Sequence, residues 1–100
     1  MRVFDEKQPY EEYYLAFDFT NAVGTETITA ATVTVTDSAG TDKTSDLTTV
    51  ANQRIDSPIV NVWVKGGATG QTYKITCKIT TGANPSEKYE LEAELPIVES

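Results

Sequence analysis

Two neighbouring runs of alternating apolar and polar side chains constrain the fold of this chain more than any other feature. In the first run, Val60, Val62 and Val64 share one face of an extended segment, because successive side chains of a strand point to opposite sides. In the second run, the apolar positions are Tyr73, Ile75, Cys77 and Ile79. A shift by one residue would bury lysines and expose isoleucines, so each run specifies one register. We predict two β-strands that contribute to one core.

Three glycines lie between the two runs, at Gly66, Gly67 and Gly70. Glycine adopts a positive φ without steric penalty, and tight chain reversals often need that conformation. We therefore predict that the two runs pair as a β-hairpin around this turn. Tyr73 opens the second strand directly after the turn, which is the setting of a tyrosine corner whose hydroxyl bonds back to the backbone. The sequence thus assigns structural roles to these glycines and to Tyr73.

The same alternation predicts strands on both sides of this segment. Residues 13–19, 29–36 and 89–95 each place apolar side chains at every second position, and residues 47–51 and 53–56 give weaker signals. No helical stretch is predicted, and turns recur at intervals of about ten residues. The prediction is an all-β fold, an immunoglobulin-like antiparallel β-sandwich of six or seven strands. A small barrel is the alternative.

The chain divides into an amino-terminal arm at 1–12, the sandwich at 13–95 and a carboxy-terminal tail at 96–100. The arm is mostly polar and shows no strand or helix period. Its apolar pair is Val3 and Phe4. A short arm with two large apolar residues can dock onto a neighbouring subunit, so we regard both residues as candidate partner contacts.

Charge and hydropathy exclude several classes of partner. The 100 residues carry eight basic and fifteen acidic side chains, and the resulting net charge of −7 opposes a phosphate backbone and an anionic membrane surface. We expect neither nucleic acid nor membrane as a partner. No apolar run approaches the roughly 18 residues of a spanning helix, and the amino terminus lacks the apolar centre of a signal peptide. A single cysteine cannot form an internal disulfide, which fits synthesis in a reducing cytoplasm.

The chain lacks the residue patterns of catalytic and cofactor sites. It contains no histidine, which removes the usual nucleophile systems. Cys77 lies on a predicted inner face, where a thiol packs as a small apolar group. The glycine segment lacks the spacing of a phosphate-binding loop, with Gln71 where a lysine is needed. Asp37, Asp42 and Asp46 crowd one loop without the spacing of a calcium loop. We expect no enzyme activity, no cofactor and no metal site.

Two aromatic residues are the main candidates for partner binding. Alternation places Trp63, the one tryptophan of the chain, on the face opposite the valines of its strand. Tyr14 lies on the corresponding outer face of the first predicted strand and is a candidate for the same reason. Large amphipathic rings dominate the energetics of many interfaces. Trp63 either contacts a partner protein or a sugar through this face, or is covered by side chains of its own domain.

A longer set of residues resembles a known family. The most specific piece is VWVKGGATGQTYKITCKITT, with its tryptophan, double glycine, later glycine and tyrosine in order. Upstream, Pro9 and two glutamates precede a strand that ends in the pair Asp18-Phe19, and ITAATVTV follows at Ile28 to Val35. This order resembles the phage fibre–tail adaptor family, small immunoglobulin-like proteins of tailed bacteriophages, over nearly the whole chain.

The resemblance implies a virion structural protein that joins receptor-binding fibres to the tail or baseplate. The implied partners are other virion proteins, namely tail fibre, tail or baseplate subunits, and copies of the chain itself. The implied location is the virion tail, after synthesis in the cytoplasm of the host bacterium. Two alternatives fit the same residues: a capsid decoration or neck protein of a phage, and a carbohydrate-binding β-sandwich module with Trp63 and Tyr14 as platforms.

Overall fold

Two β-sheets pack face to face in the computed structural model, which describes residues 2–82 and 85–99. Met1 of the predicted arm, Ala83 and Asn84 within the predicted sandwich, and Ser100 of the tail lie outside the described residues. The strands of the described part are β1 (Arg2–Val3), β2 (Tyr13–Asp18), β3 (Ile28–Thr36), β4 (Arg54–Asp56), β5 (Ile59–Val64), β6 (Thr72–Thr81) and β7 (Lys88–Pro96). The helical segments are α1 (Thr20–Val23), α2 (Thr44–Leu47) and a 3₁₀ turn (Val50–Asn52).

The order of the strands is that of an immunoglobulin-like sandwich. One sheet has the order β1-β7-β6-β3 and the other the order β2-β5-β4. Strands β3, β6 and β7 pair antiparallel, as do β2, β5 and β4, and β1 adds to β7 in parallel. These neighbours correspond to the C-F-G and B-E-D strands of the immunoglobulin fold. The predicted all-β sandwich is confirmed, and the two separate sheets rule out the small barrel.

The predicted hairpin between the two central strands is wrong. Strand β5 pairs with β2 and β4, whereas β6 pairs with β3 and β7 in the opposite sheet. The connecting residues 65–71 therefore cross from one sheet to the other, over a distance of about 10 Å between stacked sheets. Both strands bury alternate residues in the same core, so alternation alone does not distinguish strands of one sheet from strands that face each other.

The weak strand predicted at residues 47–51 is also wrong. Leu47 ends helix α2, and residues 50–52 form the 3₁₀ turn. Leu47 is nonetheless buried, with 1% exposure. In the sequence, a core residue on a single helical turn looks the same as a core residue on a strand. A one-turn helix is shorter than the window in which a helical period can be recognised. The other weak signal, at residues 53–56, corresponds to β4.

Alternate side chains of the long strands fill the space between the sheets, as predicted from their period of two. On β6, Tyr73, Ile75, Cys77 and Ile79 are all buried. The other buried hydrophobic residues are Leu15, Phe17, Phe19, Val23, Ile28, Val33, Val35, Leu47, Val60, Val62, Val64, Ala93, Leu95 and Ile97. These residues form one core cluster. The sandwich is thus stabilised by apolar burial, and Cys77 serves as one of its packing residues.

The amino-terminal segment lies along the sandwich of its own chain. The backbone N–H of Phe4 donates to the carbonyl of Glu94 at 2.9 Å, and that of Lys7 donates to the carbonyl of Pro96 at 2.9 Å. The Phe4 ring contacts the edge of the Phe17 ring, with centroids 5.4 Å apart. Part of the predicted arm is therefore docked within the domain. The division of the chain into arm, sandwich and tail stays a prediction.

Candidate functional site

An aromatic contact lies on the outer face of the β2-β5-β4 sheet. Tyr14 of β2 is directly opposite Trp63 of β5, and their rings meet edge to face with centroids 4.9 Å apart and an interplanar angle of 76°. Tyr14 is 38% exposed and Trp63 is half-buried. Such a pair contributes about 0.5–1.5 kcal/mol beyond its buried area. The structure thus brings together the two aromatic residues that the sequence singled out.

Neighbouring groups fix the orientation of the Tyr14 ring. Its hydroxyl donates to the backbone carbonyl of Asn52 at 2.8 Å and accepts from Nε of Arg54 at 3.1 Å. The Trp63 backbone carbonyl accepts a hydrogen bond from the N–H of Thr49 at 3.3 Å, which ties this strand to the loop before β4. Val50 in the same loop is 67% exposed. These hydrogen bonds orient the Tyr14 ring against Trp63.

The outer face of the β1-β7-β6-β3 sheet has a different chemical character. Its charged side chains pair across strands, Lys74 with Glu92 at 3.3 Å and Lys78 with Glu90 at 3.8 Å. Beside them lie the outward threonines of β3 and β6, at positions 32, 34, 36, 76 and 80. Exposed ion pairs of this kind contribute little to stability because water screens them. This face is polar and well solvated, in contrast to the aromatic face of the other sheet.

The glycine segment forms the crossing between the two sheets. Gly66, Gly67 and Gly70 adopt φ angles of +59°, +101° and +87°, a region that other residues reach only with strain. A Cβ at Gly67 would lie 2.8 Å from Cγ1 of Ile97. The Tyr73 hydroxyl accepts a hydrogen bond from the backbone N–H of Ala68 at 3.0 Å. The four residues to which the sequence assigned structural roles thus meet in one corner of the fold.

Lys7 is a buried residue that sequence reasoning missed. Its side chain is buried at 0% exposure, and its Nζ donates to the carbonyls of Gly66 at 2.6 Å and Gln8 at 2.9 Å. Burial lowers the pKa of the Lys7 ammonium, and the carboxylates of Glu11 and Glu12 partly oppose this effect. A lysine in a polar segment without periodicity gives no signal of burial, so the sequence alone does not identify this contact.

The two candidate contact residues of the amino-terminal segment have different environments. Val3 in β1 is 62% exposed. Phe4 is half-buried against the core and packs on Phe17. Of the apolar pair, Val3 is thus the residue that presents its side chain to solvent, and its role in partner binding stays a prediction.

The remaining candidates for chemistry show packing and turn interactions. Burial raises the pKa of the Cys77 thiol to about 12, so the thiol is protonated at neutral pH. Asp37 Oδ1 accepts from the backbone N–H groups of Ala39 and Thr41, and Asp42 accepts from Thr44. Hydrogen bonds from Thr44 lower the pKa of the Asp42 carboxyl. Within residues 2–82 and 85–99 there is no group of three or more side chains that suits a metal ion.

These features define a small immunoglobulin-like β-sandwich with an aromatic contact on one outer face. The family described as podophage GP4 fiber-tail adaptor protein gp77 matches residues 7–93. Since this match covers most of the chain, the protein belongs to that family of phage fibre–tail adaptors, as the resemblance predicted. No curated protein and no solved structure matches the chain significantly. The described residues contain no helix long and apolar enough to cross a membrane.

Proposed function

We propose that this chain is a non-enzymatic structural protein of the phage virion that joins tail fibres to the tail or baseplate. Membership of the fibre–tail adaptor family supports this role. The chain functions in the virion tail after synthesis in the cytoplasm of the host bacterium. Its partners are tail fibre, tail or baseplate subunits, and neither nucleic acid nor a membrane takes part.

The outer face of the β2-β5-β4 sheet is the proposed surface for a partner virion protein. The observation that carries this assignment is the Tyr14–Trp63 contact, an aromatic pair on one face of a sandwich whose other face is polar and ion-paired. Tryptophan and tyrosine are enriched among the residues that dominate binding energy. Because Asn52 and Arg54 already fix Tyr14, little side-chain entropy is lost when a partner binds.

The same geometry does not favour the carbohydrate-binding alternative. The two rings meet at 76°, so they do not form one flat platform on which a sugar ring could stack. The family match concerns fibre–tail adaptors and gives no support to a capsid decoration or neck protein. We therefore retain the adaptor role alone.

The test measures binding of the purified chain to the fibre and tail proteins encoded beside its gene, by biolayer interferometry. We expect Trp63→Ala to weaken binding to one of them by about tenfold or more. Thr34→Ala, on the exposed polar face of the other sheet, is the matched control and should bind as the wild type does. Circular dichroism must show that both variants are folded.

Two results would contradict the proposal. The first is binding of Trp63→Ala with the affinity of the control, which would exclude the aromatic face. The second is the absence of binding to every fibre, tail and baseplate protein tested, which would exclude the adaptor role itself. If Trp63→Ala does not fold, Tyr14→Ala replaces it, because Tyr14 is the more exposed member of the pair.

A further inference from the structure

Tyr10 projects from a hydrogen-bonded turn that lies near the end of β7. Pro9 and Tyr10 occupy the centre of a β-turn in which the N–H of Glu11 donates to the carbonyl of Gln8 at 3.0 Å. Oε1 of Glu11 accepts from the N–H of Gln8 at 2.7 Å, and Nζ of Lys7 donates to the same Gln8 carbonyl. Proline at this position pre-sets the turn. Tyr10 itself is 95% exposed. A large ring is thus presented to solvent on a preorganised backbone.

The surroundings of this turn are acidic. Residues 5–14 contain one cation, Lys7, and that side chain is buried. The carboxylates of the segment are all exposed, at Asp5, Glu6, Glu11 and Glu12. We call residues 8–12 the Tyr10 turn. A surface that receives it has to offer apolar contact for the ring and positive charge around the ring.

A groove of about 500 Å³ with this character lies on the outer face of the β1-β7-β6-β3 sheet. Its lining includes Ala30, Thr80 and two lysines, Lys78 and Lys88. Glu90 also lines it and pairs with Lys78 at 3.8 Å. Among the described residues, no carboxylate lies within ion-pair distance of the Lys88 Nζ. We call this surface the lysine groove, and its charged side chains sum to one positive charge.

The Tyr10 turn and the lysine groove lie at opposite ends of β7. Lys88, in the groove, begins the strand, whereas Lys7, below the turn, pairs with Ile97 just beyond its end. At about 3.3 Å per residue, these ends are roughly 25–30 Å apart. The molecule is elongated, with a longest dimension of 46 Å. Tyr10 therefore cannot reach the groove of its own chain.

We propose that the Tyr10 turn of one copy docks in the lysine groove of a second copy. The tyrosine ring contacts the groove lining, and the carboxylate of Glu12 lies near the ammonium group of Lys88. Because the two surfaces differ, the contact is head-to-tail, and repeating it produces a closed ring or an open filament. The net charge of −7 repels copies in general, so a contact through the lysine groove is the arrangement that charge favours.

Sedimentation velocity of the purified full chain over a range of concentrations tests this contact. We expect the wild type to self-associate, and Tyr10→Ala to weaken association by about tenfold or more. Val50→Ala, another exposed apolar site at 67% exposure, is the control and should associate as the wild type does. A wild type that stays monomeric at every concentration, or Tyr10→Ala that associates unchanged, would overturn the proposal.

A charge exchange makes the test specific for the two surfaces. Glu12→Lys removes the net negative charge of the turn and brings a second ammonium group near that of Lys88. Lys88→Glu gives the groove a net negative charge, which repels the acidic turn. Each variant alone should lose association. An equimolar mixture should regain it, because the acidic turn of the Lys88→Glu copy then meets the unaltered lysine groove of the Glu12→Lys copy. A mixture of folded variants that remains monomeric would overturn the proposal.

This inference goes beyond the proposed function, since it concerns contacts between copies of the chain. Its experiments need no fibre or tail protein, and the substitutions at Tyr10, Glu12 and Lys88 do not alter the aromatic face. If self-association fails, the Trp63 test of fibre or tail binding is unaffected. If fibre or tail binding fails, the test of self-association is unaffected.

Discussion

At the residue scale, the side chain of Lys7 joins two segments that are far apart in the sequence. Its ammonium group donates to the carbonyl of Gly66 in the crossing between the sheets and to that of Gln8 in the Tyr10 turn. A buried ammonium is tolerated only when hydrogen bonds replace the lost water. Lys7 therefore holds the base of the Tyr10 turn in place. Burial lowers the pKa of its ammonium group, and the carboxylates of Glu11 and Glu12 partly oppose that effect.

Replacement of Lys7 by methionine tests this role. Methionine keeps a long side chain of similar shape but cannot donate. The Gly66 carbonyl then loses its Lys7 donor, and the Gln8 carbonyl keeps the N–H of Glu11. We expect Lys7→Met to lower the free energy of unfolding by about 1–3 kcal/mol, measured by urea denaturation. Lys88→Met, at an exposed lysine, should change it by less than about 0.5 kcal/mol. Equal stability of the two variants would show that the Lys7 hydrogen bonds contribute nothing.

At the element scale, the crossing at residues 65–71 determines how β5 and β6 are joined. Gly67 has a φ of +101°, and its Cα lies so close to Ile97 that a side chain has no space. The hydroxyl of Tyr73 closes the crossing by accepting the N–H of Ala68. These contacts bring the segment against the end of β7. The crossing is thus packed into the fold, whereas a hairpin turn would extend into solvent.

Gly67→Ala should be more destabilising than the same change at a matched glycine. Gly70 also has a positive φ, of +87°, but a Cβ added there would have no neighbouring atom within 4 Å. Both variants incur the backbone strain of about 1 kcal/mol. Gly67→Ala additionally displaces Ile97, so we expect about 1–3 kcal/mol more loss of stability there. Similar unfolding midpoints for the two variants in urea would refute the close contact with Ile97.

At the scale of the whole molecule, the amino-terminal segment completes the sandwich. It adds β1 in parallel to β7, places Phe4 against Phe17 and inserts Lys7 beside the glycine crossing. Without it, the outer edge of β7 would expose unpaired backbone groups, which promote association between strands of different chains. These contacts join the segment to the sandwich of its own chain.

Removal of residues 1–7 tests the contribution of this segment. We expect the truncated chain to lose about 3 kcal/mol or more of stability, from the Phe4 contact and the Lys7 hydrogen bonds together. Removal of residues 99–100, where Glu99 is exposed, is the control and should have little effect. Thermal and urea unfolding provide the comparison. A truncated chain as stable as the control would mean that the segment is an accessory arm.

Much of the fold could be predicted because the alternation of apolar and polar side chains along a strand is a local property. The inward positions of β5 and β6 follow from Val60, Val62 and Ile75 alone, and the structure confirms that these residues are buried. Part of the candidate site was predictable for the same reason, since Tyr14 and Trp63 face outward from their strands. Their mutual contact was not predictable, because it depends on the pairing of β2 with β5, two strands distant in sequence.

The sequence by itself determined which side of each main strand faces the core, because burial of apolar side chains acts on every second residue wherever the strand lies. Only the tertiary structure decided which strands share a sheet, since β5 and β6 present apolar faces to one core from opposite sides. It also decided the burial of Lys7, whose two acceptor carbonyls come together only when the amino-terminal segment lies against the crossing between the sheets.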